Sequence, residues 1–234
     1  MGKLLDIINN SPRSLLQVAL DFIDLNDALR VLNSITNYEL DIIEFGTPLI
    51  KVEGLRTLGN IARKLPPNVV KLADTKTADV GGIEVSAAKI FGFDVITVLA
   101  STDDEVIKEA LKKAQEYGMD VVVDTVGIAF DRLSNRIEDL LRLGVKIVNI
   151  HVGIDVQKKL GVRASDLLET IKELTRTFGG SIKFSVSGGI KPSEVCKFVD
   201  AGASIIVIGS AITRAPNPSQ EYLKALNNLK SCTS

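Results

Sequence analysis

Four times along the chain a helix-like segment ends at a glycine and an apolar run begins within about two residues: "FGFDVITVLA", "YGMDVVVDTV", "LGVKIVNIHV" and "AGASIIVIGS". Glycine commonly closes a helix at the C′ position, and a β-branched run that is apolar at successive positions suits a parallel strand buried on both faces. The glycines are Gly92, Gly118, Gly144 and Gly202, and the last interval is long enough to hold two units. The extra junction falls in "FGGSIKFSVSGG", around Gly179 and Gly180. Carried outward, this phase predicts eight strands, at 16–21, 41–45, 69–74, 94–99, 120–124, 146–151, 183–187 and 204–208. A helical pattern comes after each one. "TDDEVIKEALKKAQEYG" shows it well, with Thr102 or Asp103 as cap, a stripe of Val106, Ile107, Ala110, Leu111 and Ala114, and a closing glycine. Eight βα units without a linker or low-complexity tract predict one TIM (β/α)8 barrel over 1–234, with a short N-terminal helix at 3–9 and a flexible C-terminal tail at 230–234. A doubly wound open sheet is the competing architecture, although it usually needs fewer units.

Composition narrows the partners. The 234 residues carry 28 basic and 29 acidic side chains, a net charge of -1, so no global basic field draws nucleic acid or a membrane surface. No apolar stretch approaches the roughly 18 residues of a membrane span, and "MGKLLDIINN" lacks the continuous apolar core of a signal peptide. A cytoplasmic protein is expected. Its two cysteines, Cys196 in a predicted helix and Cys232 near the C-terminus, cannot form a disulfide framework or a thiolate metal cluster, and are expected to be ordinary structural or exposed thiols. The single histidine, His151, titrates near neutrality when unperturbed, so its position matters more than its number.

In a TIM barrel the active site forms at the C-terminal ends of the strands. Asp21 ends the first predicted strand, Glu44 the second, Asp74 and Lys76 the third, Asp124 the fifth and His151 the sixth. "LADTKTADVGG" therefore places Asp74 and Lys76 on one side of a strand by simple alternation, with Thr75 pointing away and Asp79 a turn further on. A local salt bridge at a strand end is the plainer reading of this cluster, but it leaves the carboxylates on the first two strands without an explanation. "SVSGGIKPSE" and "VIGSAITRA" put glycines at the ends of the last two strands ahead of helices, where free N–H groups suit a phosphate.

"LQVALDFIDL", "DIIEFGTPLIKVEG", "ADTKTADVGG", "VNIHVGID", "SVSGGI" and "VIGSAIT", in this order, resemble the orotidine 5′-monophosphate decarboxylase suprafamily, and within it most closely the 3-hexulose-6-phosphate synthase branch. The resemblance spans about Leu16 to Ala225. It implies a homodimeric, Mg²⁺-dependent barrel lyase that joins formaldehyde to a phosphorylated ketose. By that likeness Asp21 lies in the sugar site, Glu44 and Asp74 lie at the metal, Lys76 lies beside the reacting carbons, and Asp79 crosses the dimer interface into the partner's site. The phosphate is left to the backbone at Gly188, Gly189, Gly209 and Ser210, and His151 is the candidate base. Two plainer roles stay open, a helix N-terminal acid for Asp79 and a hydrogen-bonded core residue for His151. Within the branch, 3-keto-L-gulonate-6-phosphate decarboxylase carries an arginine where this chain has Ile154, and another where it has Ser210. The first difference favours aldol chemistry over that decarboxylation, and the second leaves the phosphate to the backbone unless Arg214, four residues into the next segment, reaches in. A silent barrel that only binds phosphosugars remains an alternative from a different functional class.

Overall fold

The computed structural model describes residues 2–232. Eight parallel strands close a barrel in chain order, each pairing with its sequence neighbours and β8 with β1. They are β1 (Leu15–Leu20), β2 (Ile42–Phe45), β3 (Val70–Thr77), β4 (Val95–Leu99), β5 (Asp120–Asp124), β6 (Ile147–His151), β7 (Lys183–Ser187) and β8 (Ile205–Ile208). The helices are α1 (Lys3–Asn10), α2 (Leu25–Ile35), α3 (Thr47–Ala62), α4 (Gly81–Phe91), α5 (Asp104–Tyr117), α6 (Leu133–Arg142), α7 (Ile154–Leu160), α8 (Leu168–Phe178), α9 (Val195–Asp200), α10 (Ser210–Thr213) and α11 (Pro218–Ser231). The predicted units are all present. The local signals also act as expected: Asp103 caps α5 by accepting from Glu105 N–H, and Gly118 ends it in the left-handed conformation.

Strand alternation divides the core into two layers. One face of each strand meets the helices, in a shell that includes Val18, Ile43, Ala73, Ile96, Val123, Val148 and Ile206. The other face fills the barrel with Leu15, Ala19, Ile42, Val70, Leu72, Val95, Val122, Ile147, Ile205 and Val207. Leu4 of α1 joins this inner cluster, with Leu5, Ile7 and Ile8 packed against it. The helix docks where strands begin: Leu4 and Leu5 N–H donate to Asp120 at 2.8 and 3.2 Å, and the Lys3 ammonium reaches Val69 O at 2.6 Å and Asp94 at 3.0 Å. With that end of the barrel plugged, the buried polar side chains Gln17, Glu44, Asp74, Thr97, Asp124, Asn149 and Ser187 face the opposite half.

Three expectations meet a different structure. The cysteines are not thiols: Cys196 on α9 and Cys232 form a disulfide, their Cα atoms 5.3 Å apart. That separation lies in the range a bridge requires, and the contact is created by packing α11 on α9, which spacing along the chain does not reveal. The C-terminal tail expected from 230 is helical through Ser231, while residues 233–234 lie outside the described residues. Strand β3 is not regular to its end, since 73–77 faces only 96–98 of β4. Among the described residues no helix is long and apolar enough to cross a membrane.

Candidate active site

The irregular end of β3 builds the centre of the site. Lys76 has a φ of 44°, in the left-handed region that a lysine rarely occupies. Its N–H donates to Thr97 Oγ1 at 2.9 Å, and Thr75 Oγ1 donates to Thr97 O at 2.8 Å, so β4 braces the distorted turn. The Thr97 hydroxyl donates in turn to Asp74 Oδ1 at 2.7 Å. Thr47, at the start of α3, donates to Asp74 from the other side at 2.7 Å. Asp74 and Lys76 do meet, their side chains forming a direct ion pair. The bulge brings them together, in place of the regular alternation that the sequence predicts.

From Lys76 the contacts continue across the barrel. Its ammonium lies 3.7 Å from Asp124 Oδ2, and Asp124 receives His151 Nδ1 at 2.9 Å. Val126 N–H (2.8 Å) and Asn149 Nδ2 (3.3 Å) also donate to Asp124. Burial alone would raise the Asp124 pKa, but His151 and then Lys76 outweigh it and hold the carboxylate below its ordinary range. An ionised Asp124 can only accept. Nδ1 of His151 therefore carries the hydrogen in this contact, and in the neutral ring Nε2 keeps its lone pair. Burial would likewise lower Lys76, but Asp74, Asp124 and Glu44 overcome it and raise the lysine above its usual value. Lys76 is held as an ammonium.

On the β1–β2 side the charge balance reverses. Glu44 is buried and accepts from Gln17 Nε2 at 2.6 Å. Burial first, then the negative charges of Asp74 and Asp21, push the Glu44 pKa well up. Asp21 is an exposed residue, yet desolvation of its carboxyl, and then the charge of Asp74, raise its pKa too. Asp21 stands between two glycines: a Cβ on Gly46 would lie 2.2 Å from Oδ1, and one on Gly209 would lie 3.6 Å from Oδ2. Only glycine lets the end of β2 pass so close to that carboxylate.

Among the described residues, no group of three or more His, Cys, Asp or Glu side chains is gathered as a closed metal cage. Mg²⁺ does not need one, because it typically binds through one or two carboxylates and completes its shell with water and substrate oxygens. Glu44 and Asp74 have that chemistry, and each carboxylate offers about four lone-pair sites, more than its bonds here occupy. The donor set fits the ion.

The structure thus brings Asp21, Glu44, Asp74, Lys76 and His151 to one end of the barrel, with Gly188, Gly189, Gly209 and Ser210 just beyond β7 and β8. Asp79 stands apart from them. It is exposed, and its carboxylate accepts from the neighbouring Val80 N–H at 2.7 Å. The sequence marks Asp124 only as an acid at a strand end, and the structure gives it the central place. Its in-phase spacing with Asp120 and Val122 is a signal of which way it faces. Thr97, Thr47, Asn149 and Gln17 escape a sequence reading altogether, since none carries a signal that separates it from an ordinary strand or turn residue.

The sequence profile of the orotidine 5′-phosphate decarboxylase / HUMPS family matches residues 14–225. A 3-hexulose-6-phosphate synthase of Mycobacterium gastri is 38% identical over 203 residues, covering 87% of this chain and 93% of that protein. One of Bacillus subtilis is 32% identical over 209 residues, covering 89% and 95%. The crystal structure of 3-hexulose-6-phosphate synthase from Salmonella typhimurium aligns with a TM-score of 0.83 at 32% identity, over 93% of this chain and 99% of that one. That of KGPDC from Streptococcus mutans aligns with a TM-score of 0.79 at 26% identity, over 94% and 99%. A profile match that runs from the first strand into the last helix, with relatives covered almost end to end, leaves no large part of the barrel unaccounted for: the chain belongs to the orotidine 5′-phosphate decarboxylase / HUMPS family.

Proposed function

We propose that this protein catalyses the reversible aldol addition of formaldehyde to D-ribulose 5-phosphate, giving D-arabino-3-hexulose 6-phosphate. The observation that carries this reading is the chain of contacts from Asp74 through Lys76 and Asp124 to His151, which sets a fixed cation beside an oriented imidazole. The names of its relatives in Mycobacterium gastri and Bacillus subtilis support it. His151 Nε2 takes the proton from the carbon next to the ketone, and Asp124 steadies the imidazolium that results. Lys76 stabilises the enediolate oxygen as an ammonium. Its raised pKa makes it a poor Schiff-base nucleophile, a role that requires the neutral amine. Glu44 and Asp74 would hold Mg²⁺, which when bound supplies positive charge to the developing oxyanion. Ile154, at the start of α7, brings no charge, in keeping with an aldol reaction.

The direct test is incubation with D-ribulose 5-phosphate, formaldehyde and Mg²⁺ and then product analysis, beside an assay of CO₂ release from 3-keto-L-gulonate 6-phosphate. Hexulose phosphate formed only with metal is the expected result. CO₂ release without aldol product would move the assignment to the decarboxylase.

A homodimer with shared sites belongs to the same reading. Asp79 stands away from the cluster of its own chain, and exposed apolar side chains at Val52, Val80, Ile83 and Ile90 lie on α3, α4 and the turn beside it. Mixing Asp79→Ala with Lys76→Ala subunits is expected to restore one intact site per heterodimer. Absence of recovery despite demonstrated subunit exchange removes sharing. The reading also keeps the protein in the cytoplasm, where the Cys196–Cys232 bridge persists only if its reduction potential lies below that of the thiol pool.

A further inference from the structure

In the two loops assigned to the phosphate, Lys191 of the β7 loop is exposed, and the exposed Arg214 at the end of α10 acts through its charge on Asp21, so neither loop has a cation of its own seated on its glycines. Among the described residues, the N–H groups of Gly188, Gly189 and Gly209 find no backbone acceptor. The elements directly after them, however, are only a 3-10 turn at Pro192–Glu194 and the single-turn α10, too short to develop a strong helix dipole. A dianionic phosphate held by backbone alone forgoes the charge-assisted hydrogen bonds that make such sites strong.

Arg163 is placed to supply them. It lies between α7 and α8, in a segment seated directly on the β7 loop: Ala164 N–H donates to Gly188 O at 2.9 Å, and Asp166 fixes Arg163 by accepting from its N–H at 2.8 Å. Gly189, at a φ of +70°, has bare backbone against the arginine stem. A Cβ there would meet Arg163 Cδ at 3.2 Å and Gln157 Oε1 at 2.6 Å. The stem is held while the head remains loosely engaged. Its acidic neighbour is Glu194, and the Nη2–Oε1 separation of 3.8 Å is too long for a hydrogen bond.

We propose that Arg163 is a ligand of the substrate's phosphate, closing over Gly188 and Gly189 and supplying the charge that the backbone there lacks. This rests on the phosphoketose reading of the site. Binding of inorganic phosphate and of D-ribulose 5-phosphate, measured by calorimetry, tests it without reliance on turnover. Arg163→Ala and Arg163→Gln are expected to weaken both by roughly 10- to 100-fold, the range of a hydrogen bond to a charged group. Arg163→Lys recovers part of the loss, the aldol reaction shows the change in KM with kcat nearly kept, and turnover of phosphate-free D-ribulose is the same in all variants. Unchanged affinity for both ligands in folded Arg163→Gln overturns the proposal and leaves the proposed function intact. Wild-type protein that binds neither ligand overturns both. An equal loss of turnover with phosphate-free D-ribulose overturns the phosphate role in favour of a structural one.

Discussion

The two ends of the barrel handle buried charge in opposite ways. Where the strands begin, acids are matched locally: Asp94 faces Lys3 at 3.0 Å, Asp41 receives Arg13 at 2.8 Å, and Asp120 accepts the first free N–H groups of α1. Leu4 seals that end from within. Where the strands finish, Asp21, Glu44, Asp74 and Asp124 crowd around Lys76 and His151, and desolvation, with mutual repulsion added to it, raises Glu44 and Asp21. A fold that can satisfy its acids at one end leaves them in surplus at the other. Such a surplus is costly for stability and useful for holding cations and guiding protons.

The contrast predicts that substitutions at the strand ends cut activity, while substitutions at the strand starts cut stability. The largest effect is expected from Lys76→Ala, which should lower kcat/KM about 1,000-fold or more, as loss of a preorganised charge stabiliser does. Steady-state kinetics on protein shown by circular dichroism to be folded measures it; activity within about tenfold of wild type would erase the functional half of the contrast. Next is Leu4→Ala, for which about 3 kcal/mol of unfolding free energy should be lost in a denaturant titration, with kcat/KM nearly unchanged below the transition. If activity falls in step with stability, the two ends are coupled and the contrast breaks. Asp124→Asn should slow solvent deuterium exchange into D-ribulose 5-phosphate about 100-fold by disturbing the His151 tautomer, with little change in melting temperature. Thr97→Val should have the smallest effect, about tenfold in rate and about 1 kcal/mol in stability, because the hydroxyl braces both Lys76 N–H and Asp74. It sharpens the comparison by sitting on both sides of it.

How much of this is legible in the chain depends on what fixes each feature. The strands can be read because the glycine that closes a helix and the β-branched run after it are adjacent in sequence, and because a barrel gives every strand the same two buried faces. Asp21, Glu44, Asp74, Lys76 and His151 can be read because strand ends are where such barrels place chemistry. The bulge at Lys76 cannot, since it is fixed by pairing with Thr97 on another strand. The link from Asp124 to His151 is hidden for the same reason: it crosses from β5 to β6, and no spacing along the chain states which nitrogen meets the carboxylate. The plug formed by α1 looks like any short amphipathic segment until Asp120 supplies the acceptor for its N–H groups.

The bridge between Cys196 and Cys232 has a topological consequence. It turns the span between them, which includes β8, into a covalent ring, and β8 is the strand whose pairing with β1 shuts the barrel. A protease that cuts the exposed Arg214 turn therefore opens a ring without releasing a fragment, and the nicked chain runs as one species until the bond is reduced. Cleavage outside the ring, at the exposed Lys159 for example, has no such tether and frees two pieces as soon as the fold lets go.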